Sequence, residues 1–211
     1  MSEYAPDAAS AREDLCRFLS ACYYEPAPEF AEEQLFHSMW VAAQQLDPDL
    51  AAHARKLGEA FAAHDLQTLM VDYTRLFLGP VEVLAKPYEA SWRKASKQSE
   101  ENPHLAVLDL YAEGGLEIDE EFRELPDHVA VELEFLYLLV FASNLARKTG
   151  NAEELAAKQA LQERFLSEHL GAWMPAFTAA VAAAAETSFY RELAVFTEQF
   201  IGLHAGARKP H

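Results

Sequence analysis

The sequence predicts an all-α protein, a single globular helical domain of about eight to ten helices over residues 1–211, and three observations carry that expectation. Half of the residues are hydrophobic (51%), Ala, Leu and Glu are abundant and there are only eight glycines, which is a helix-forming composition. No stretch alternates apolar and polar residues with the period of two that a half-buried strand needs. The stretch Glu124–Phe141, ELPDHVAVELEFLYLLVF, is apolar in nearly every helical direction from Val129 onward, the pattern of a helix buried on all sides. The other helices must pack around it.

The elements follow from periodicity and punctuation. A first helix runs from Ala8 to Tyr24, with Leu15, Phe18, Leu19 and Cys22 as its core stripe, and ends at Glu25-Pro26. A second, Glu29–Leu46, buries Phe30, Leu35 and Met39 and stops before Asp47-Pro48. An Ala-rich third covers Asp49–Ala63. Asp65 caps a fourth, which carries Leu66, Leu69, Met70, Tyr73, Leu76 and Phe77 and ends at Gly79-Pro80. Residues 79–101 form the longest non-helical stretch, locally basic through Lys86, Arg93, Lys94 and Lys97. Asn102-Pro103 opens a helix that Gly114-Gly115 closes, and a short acidic turn, Asp119–Glu124, leads to the central helix. There the residue before Pro126 leaves the α region, Pro126 suits the first helical turn and Asp127 complements the helix dipole. Gly150-Asn151 closes the central helix. Helices at Glu153–Leu170, Ala172–Ala185 and from Thr187 or Ser188 to Leu203 follow, and the tail, Gly206–His211, is expected to fray.

Composition narrows the function classes. The formal charge is −17, and residues 100–134 hold twelve acidic residues against one basic residue, Arg123. That field repels nucleic acid and anionic lipid and attracts basic partners, although a solvated face that confers solubility reads equally well. No run of eighteen apolar residues predicts a stable membrane insertion, and the N-terminus lacks the basic start and apolar core of a secretory signal. Cys16 and Cys22 fit neither a disulfide framework nor a zinc site, so a cytoplasmic location is expected. No phosphate-cradling glycine loop and no GxSxG turn is present.

Chemistry-bearing residues cluster in two places. Tyr73-x-x-Leu76-Phe77-x-Gly79-Pro80 is followed by Pro87-Tyr88-Glu89, with Ser91 and Trp92 just beyond. The central helix begins Glu124-x-Pro126-Asp127-His128 and continues Glu132-Leu133-Glu134. His128 and Glu132, four apart, share a helix face, so Glu132 is expected to hold the His128 ring; Glu134 points the other way. A carboxylate in so apolar a helix needs a partner or a role. One reading is an amphipathic helix, a proline turn and a helix start. Another is a metal- or nucleotide-dependent hydrolase using Asp127, His128 and Glu132, although His37, His53, His64, His104, His169 and His204 show no ligand spacing.

These motifs together, with His169-Leu170-x-x-Trp173-x-Pro175-x-Phe177, resemble the TorD family of redox-enzyme maturation chaperones, whose relatives include the DmsD and NarJ types. The likeness runs in order from near Leu15 to near Leu203. One departure is that Ala90 follows Glu89 where the family often has Ser, and Ser91 comes next. The resemblance implies a TorD-like all-helical cytoplasmic chaperone, not an enzyme, without a cofactor or metal. Its implied partner is the catalytic-subunit precursor of a molybdenum-cofactor oxidoreductase, through its twin-arginine signal peptide, its apo body or both. It allows a monomer or a domain-swapped homodimer. The client site it implies comprises Tyr73, Phe77, Pro87, Tyr88, Glu89, Ser91, Trp92, Glu124, Pro126, Asp127, His128 and Glu132. Asp127, facing outward at a helix start, and His128 are expected at its centre. Carboxylates beside apolar walls suit an arginine-bearing, otherwise apolar leader, because a guanidinium pairs with carboxylate as a planar fork.

Overall fold

The computed structural model describes residues 7–79, 83–93, 103–116 and 124–206. Ten α-helices lie among them: α1 (Ala8–Ala21), α2 (Glu29–Glu32), α3 (Leu35–Ala43), α4 (Pro48–Ala62), α5 (Leu66–Tyr73), α6 (Pro103–Gly114), α7 (Val129–Thr149), α8 (Ala152–Glu168), α9 (Leu170–Ala184) and α10 (Ser188–Gly206). No strand occurs among the described residues, where Tyr88 and His128 form one isolated antiparallel bridge. Pro80, Lys94, Lys97, residues 119–123 of the acidic turn and 207–211 of the tail lie outside the described residues.

Helix α7 is the spine. It packs against α1 on one side and α8 on the other, while α10 lies against α9 and α4, and α3 joins α1 to α4. Val131, Leu133, Leu136, Leu139 and Val140 are all buried, as the all-round apolar pattern requires. By length and composition alone α7 could cross a membrane, against the expectation from apolar run length, but most of that apolar stretch is packed inside the fold. A core helix meets the same test. Aromatic rings fill the centre: Phe135 meets Tyr111 at 4.5 Å and Phe165 at 5.0 Å between centroids, and Phe77, Tyr23 and Phe177 pack together in edge-on and tilted contacts.

Local chemistry sets the boundaries. Asp7, Asp47 and Asp65 cap α1, α4 and α5, each accepting a backbone N–H of the first turn. Gly150, at φ 72°, ends α7 in the left-handed conformation. Two boundaries in the first half of the chain differ from the sequence reading. The expected helix Glu29–Leu46 is broken, because Gln34 sits at φ 55° between α2 and α3. The fourth helix ends in a π-helical turn, Thr74–Leu78, closed by Gly79 N–H donating to the Thr74 carbonyl at 2.7 Å. Such widened turns recur at functional sites. Beyond it the chain folds back: Ala85 N–H donates to the Leu76 carbonyl at 2.9 Å. Asp72, buried, ties this region to the start of α10 by accepting from Thr187 N–H (2.7 Å), Thr187 Oγ1 (2.8 Å) and Arg75 (2.8 Å).

Candidate functional site

The two motif regions meet. The loop 83–93 lies along the turn 124–128, and two backbone hydrogen bonds hold the pair, Glu89 N–H to the Asp127 carbonyl at 2.9 Å and Val129 N–H to the Pro87 carbonyl at 2.8 Å, while His128 N–H to the Leu125 carbonyl at 3.1 Å closes the turn itself. Ala90 N–H donates to Asp127 Oδ2 at 3.0 Å, and the Tyr88 hydroxyl donates to Glu124 at 3.0 Å. Residue 90 contributes its backbone N–H to this contact and its side chain is exposed, so the contact with Asp127 does not depend on a Ser side chain. A 3-10 turn, Glu89–Ser91, carries the chain away. Trp92 closes the loop, its indole N–H donating to the Lys86 carbonyl at 2.6 Å and its ring 6.1 Å from Phe177.

This pairing corrects the expected helix start. Tyr111 donates its hydroxyl to the Pro126 carbonyl at 2.6 Å and the loop occupies the adjoining backbone groups, so Pro126 and Asp127 form a turn and α7 begins at Val129. His128 is the N-cap, its Nδ1 accepting from Ala130 N–H at 3.2 Å. The ring is held by Tyr24 and Tyr88, with centroids at 6.1 and 5.3 Å, rather than by Glu132.

Asp127 does not face outward: it is fully buried, because its carboxylate accepts from Ala90 and faces His104 Nδ1 of α6 at 2.8 Å. Glu89 is equally buried, with Oε2 2.9 Å from His169 Nδ1 and Oε1 2.9 Å from Arg93. Glu132, also at 0% exposure, accepts the Trp173 indole N–H at 3.0 Å on Oε2, and its Oε1 has no hydrogen-bond partner among the described residues. Burial, and then the charge of Glu89, push the Glu132 carboxyl well above its usual value. Burial takes the His128 imidazole down to about 4, with Glu124 opposing, so the ring is neutral near pH 7. Burial and the Glu124 contact push the Tyr88 phenol up to about 12. Glu134, turned toward α1, accepts from Ser20 at 3.2 Å and Tyr24 at 3.0 Å.

The expected site residues therefore divide. Pro87, Tyr88, Glu89, Ser91, Trp92, Glu124, Pro126, Asp127 and His128 come together at the paired loop and turn. Glu132 lies beneath them, and Tyr73 and Phe77 belong to the buried aromatic cluster. Tyr88, Ser91, Trp92, Glu124 and Pro126 reach the surface, with exposed Leu84 and Leu125 flanking them in sequence. Sequence reasoning missed His104 and His169 as partners of the motif acids and Tyr111 as the partner of the Pro126 carbonyl, since they come from separate elements and share no spacing; Arg93, four residues after Glu89, had a spacing signal but lay in a stretch read as non-helical. Trp173 lay in a recognised stretch, but its indole contact with Glu132 had no signal in the sequence. A cleft of about 610 Å³ lies elsewhere, toward the far end of α7, lined by Arg12, Asn144, Arg147 and Gln159 among others.

Chemically, the site offers buried carboxylates under a polar-aromatic surface. Asp127, His128 and Glu132 spend their contacts in three directions, on Ala90 and His104, on Ala130, and on Trp173, so they do not converge as a hydrolase would need. No group of three or more His, Cys, Asp or Glu among the described residues is arranged to hold a metal ion.

Known proteins match on both sequence and fold. The TorD chaperone protein of Vibrio parahaemolyticus is 28% identical over 179 residues, covering 80% of this chain and 82% of that protein. That of Salmonella paratyphi B is 31% identical over 144 residues, covering 66% and 62%. A crystal structure of a candidate redox enzyme maturation protein from Archaeoglobus fulgidus superposes with a TM-score of 0.53 over 90% of this chain and 93% of that one, and at 22% identity the likeness is one of fold. The model of the nitrate reductase delta subunit family matches residues 43–179. The chain belongs to that family, the TorD- and NarJ-like group of redox-enzyme maturation chaperones.

Proposed function

We propose that this chain is a non-catalytic cytoplasmic chaperone that binds the precursor of a molybdenum-cofactor oxidoreductase, through its twin-arginine signal peptide, its apo body or both, before export or assembly. The observation that carries this reading is the pairing of loop 83–93 with turn 124–128, which gathers Tyr88, Trp92, Glu124 and Pro126 at one surface beside exposed Leu84 and Leu125. Apolar side chains beside a carboxylate suit a ligand that is apolar along most of its length and carries guanidinium groups. The acidic surplus of residues 100–134 favours the same basic partner at long range. The naming of similar proteins as TorD chaperones supports the non-catalytic reading.

Calorimetric titration with a synthetic twin-arginine leader tests this. The expected result is saturable binding that weakens when both arginines are replaced by glutamine. It also weakens as ionic strength rises past roughly 0.15 M, where the Debye length is about 8 Å. No binding to the leader, combined with no co-purification of a molybdoenzyme subunit by the tagged chain, would overturn the proposal.

A further inference from the structure

We infer that Glu89 Oε1 is a guanidinium subsite of the client surface, filled in the free protein by the chain's own Arg93; this rests on the function proposed above. Glu89 is completely buried, yet its two oxygens are covered differently. Oε2 faces His169 Nδ1 at 2.9 Å, and that imidazole is itself buried at the junction of α8 and α9. Oε1 is covered by Arg93 Nη1 at 2.9 Å, and the Arg93 side chain is 37% exposed. One oxygen is therefore sealed by the core and the other by a lid that stands at the surface.

The lid is replaceable on chemical grounds. Arg93 makes a single-nitrogen contact on Oε1, and with Oε2 held by His169 an incoming guanidinium can make the same kind of charge-assisted contact there. Among the described residues, no other hydrogen bond or ion pair holds the Arg93 guanidinium. Exposing Glu89 without a cation would be costly beside buried Glu132 and Asp127. Exchange of one guanidinium for another avoids that cost, and an incoming arginine side chain brings the group that the pocket already accepts. An occupant within the chain lowers the apparent affinity for an outside one by the fraction of time the subsite is filled. Arg93 is then a competitor of the client, not a contact to it.

Arg93→Ala tests this with a sign opposite to that of a contact residue. The variant melts lower than wild type because Glu89 loses its cation. Millimolar methylguanidinium should restore several degrees of that loss while moving the wild-type melt much less, and methylammonium should not substitute for it. Arg93→Ala should also bind a twin-arginine leader several-fold more tightly than wild type. The double variant Arg93→Ala, Glu89→Gln should lose both effects. If Arg93→Ala does not fold, Arg93→Lys keeps the charge but not the guanidinium, and tighter leader binding than wild type is expected of that variant instead. Equal responses of Arg93→Ala and wild type to methylguanidinium would overturn the subsite. Rescue by methylguanidinium without tighter leader binding would uphold the subsite and overturn the client reading instead.

Discussion

His128 should make the protein sensitive to mild acid, and the size of the effect follows from where the ring sits. The side chain is 3% exposed, between Tyr24 and Tyr88, and burial lowers its folded-state pKa from 6.5 to about 4. Because the folded value lies below the unfolded one, the unfolded chain takes up the proton first as the pH falls. Stability from the neutral ring is complete above about pH 6.5, is lost on the way down to about pH 4, and is constant below that. Linkage with these two values gives a loss of about 2 kcal/mol at pH 5 relative to pH 8. For a chain of this size that is a drop of about 4–8 °C in melting temperature. Other groups titrate over the same range, so the comparison is with His128→Asn. Asparagine keeps an acceptor for Ala130 N–H at the N-cap and removes the titration. It also loses the ring packing, which is a pH-independent offset. Differential scanning calorimetry of both proteins from pH 8 to pH 5 should show wild type falling more steeply by that amount. Parallel curves would refute the assignment of a neutral, buried ring to His128.

Three further outcomes follow from the same cluster and its supports. Asp127→Asn should lower the melting temperature by several degrees, since weakening a hydrogen bond to a charged group costs about 1.5–3 kcal/mol, and should speed hydrogen exchange at the Ala90 amide; an unchanged melt with unchanged Ala90 exchange would refute it. Glu132→Gln should gain on wild type in melting temperature as the pH rises from 5 to 8, because the raised pKa makes wild type lose stability as the pH climbs past the usual carboxyl value; a difference independent of pH would show that Glu132 ionises normally. Gly171→Ala places a methyl group against the Leu166 backbone carbonyl, which cannot give way as a side chain can, so a loss of about 1–3 kcal/mol is expected; a melt within a degree of wild type would refute the close approach of α8 and α9.

The core was legible where one period ran uninterrupted. From Val129 the apolar residues of α7 recur in every direction, and a buried helix is the solution that satisfies them. The same logic found the stripe Leu15, Leu19 and Cys22 along α1 and its C-cap. What escaped was decided by groups distant in sequence or by backbone conformations with no residue signature. Gln34 adopts a left-handed conformation usually given to glycine or asparagine, so nothing marked the break between α2 and α3. Pro126 obeyed the local rule for a first helical turn, but Tyr111 and the paired loop occupy the backbone there, and tertiary contacts moved the start to Val129. Glu89 and His169 touch across 80 residues, and Asp127 and Ala90 across 37, separations at which spacing carries no information.

The burial of the motif acids changes what their presence in a binding motif means. A surface contact residue can be replaced at little cost to the fold, whereas Glu89, Asp127 and Glu132 are each at 0% exposure and each joins separate parts of the chain: Glu89 the loop end and the α8–α9 junction, Asp127 the loop and α6, Glu132 α7 and α9. Three carboxyl groups so placed are costly to desolvate, and burying them stabilises the fold less than apolar residues of the same volume would. What they add is geometry. Asp127 fixes the loop against the turn that starts α7, Glu132 orients α9 against α7 through Trp173, and Glu89 sits between, with one face sealed and one covered by Arg93. The half-buried Tyr88, Trp92 and Glu124 are positioned by this frame. A loss of binding caused by Asp127→Asn or Glu132→Gln would therefore report a displaced surface rather than a missing contact. Parallel measurements separate the two cases, because a displaced surface changes Ala90 exchange and the melt together with affinity, and a missing contact changes affinity alone.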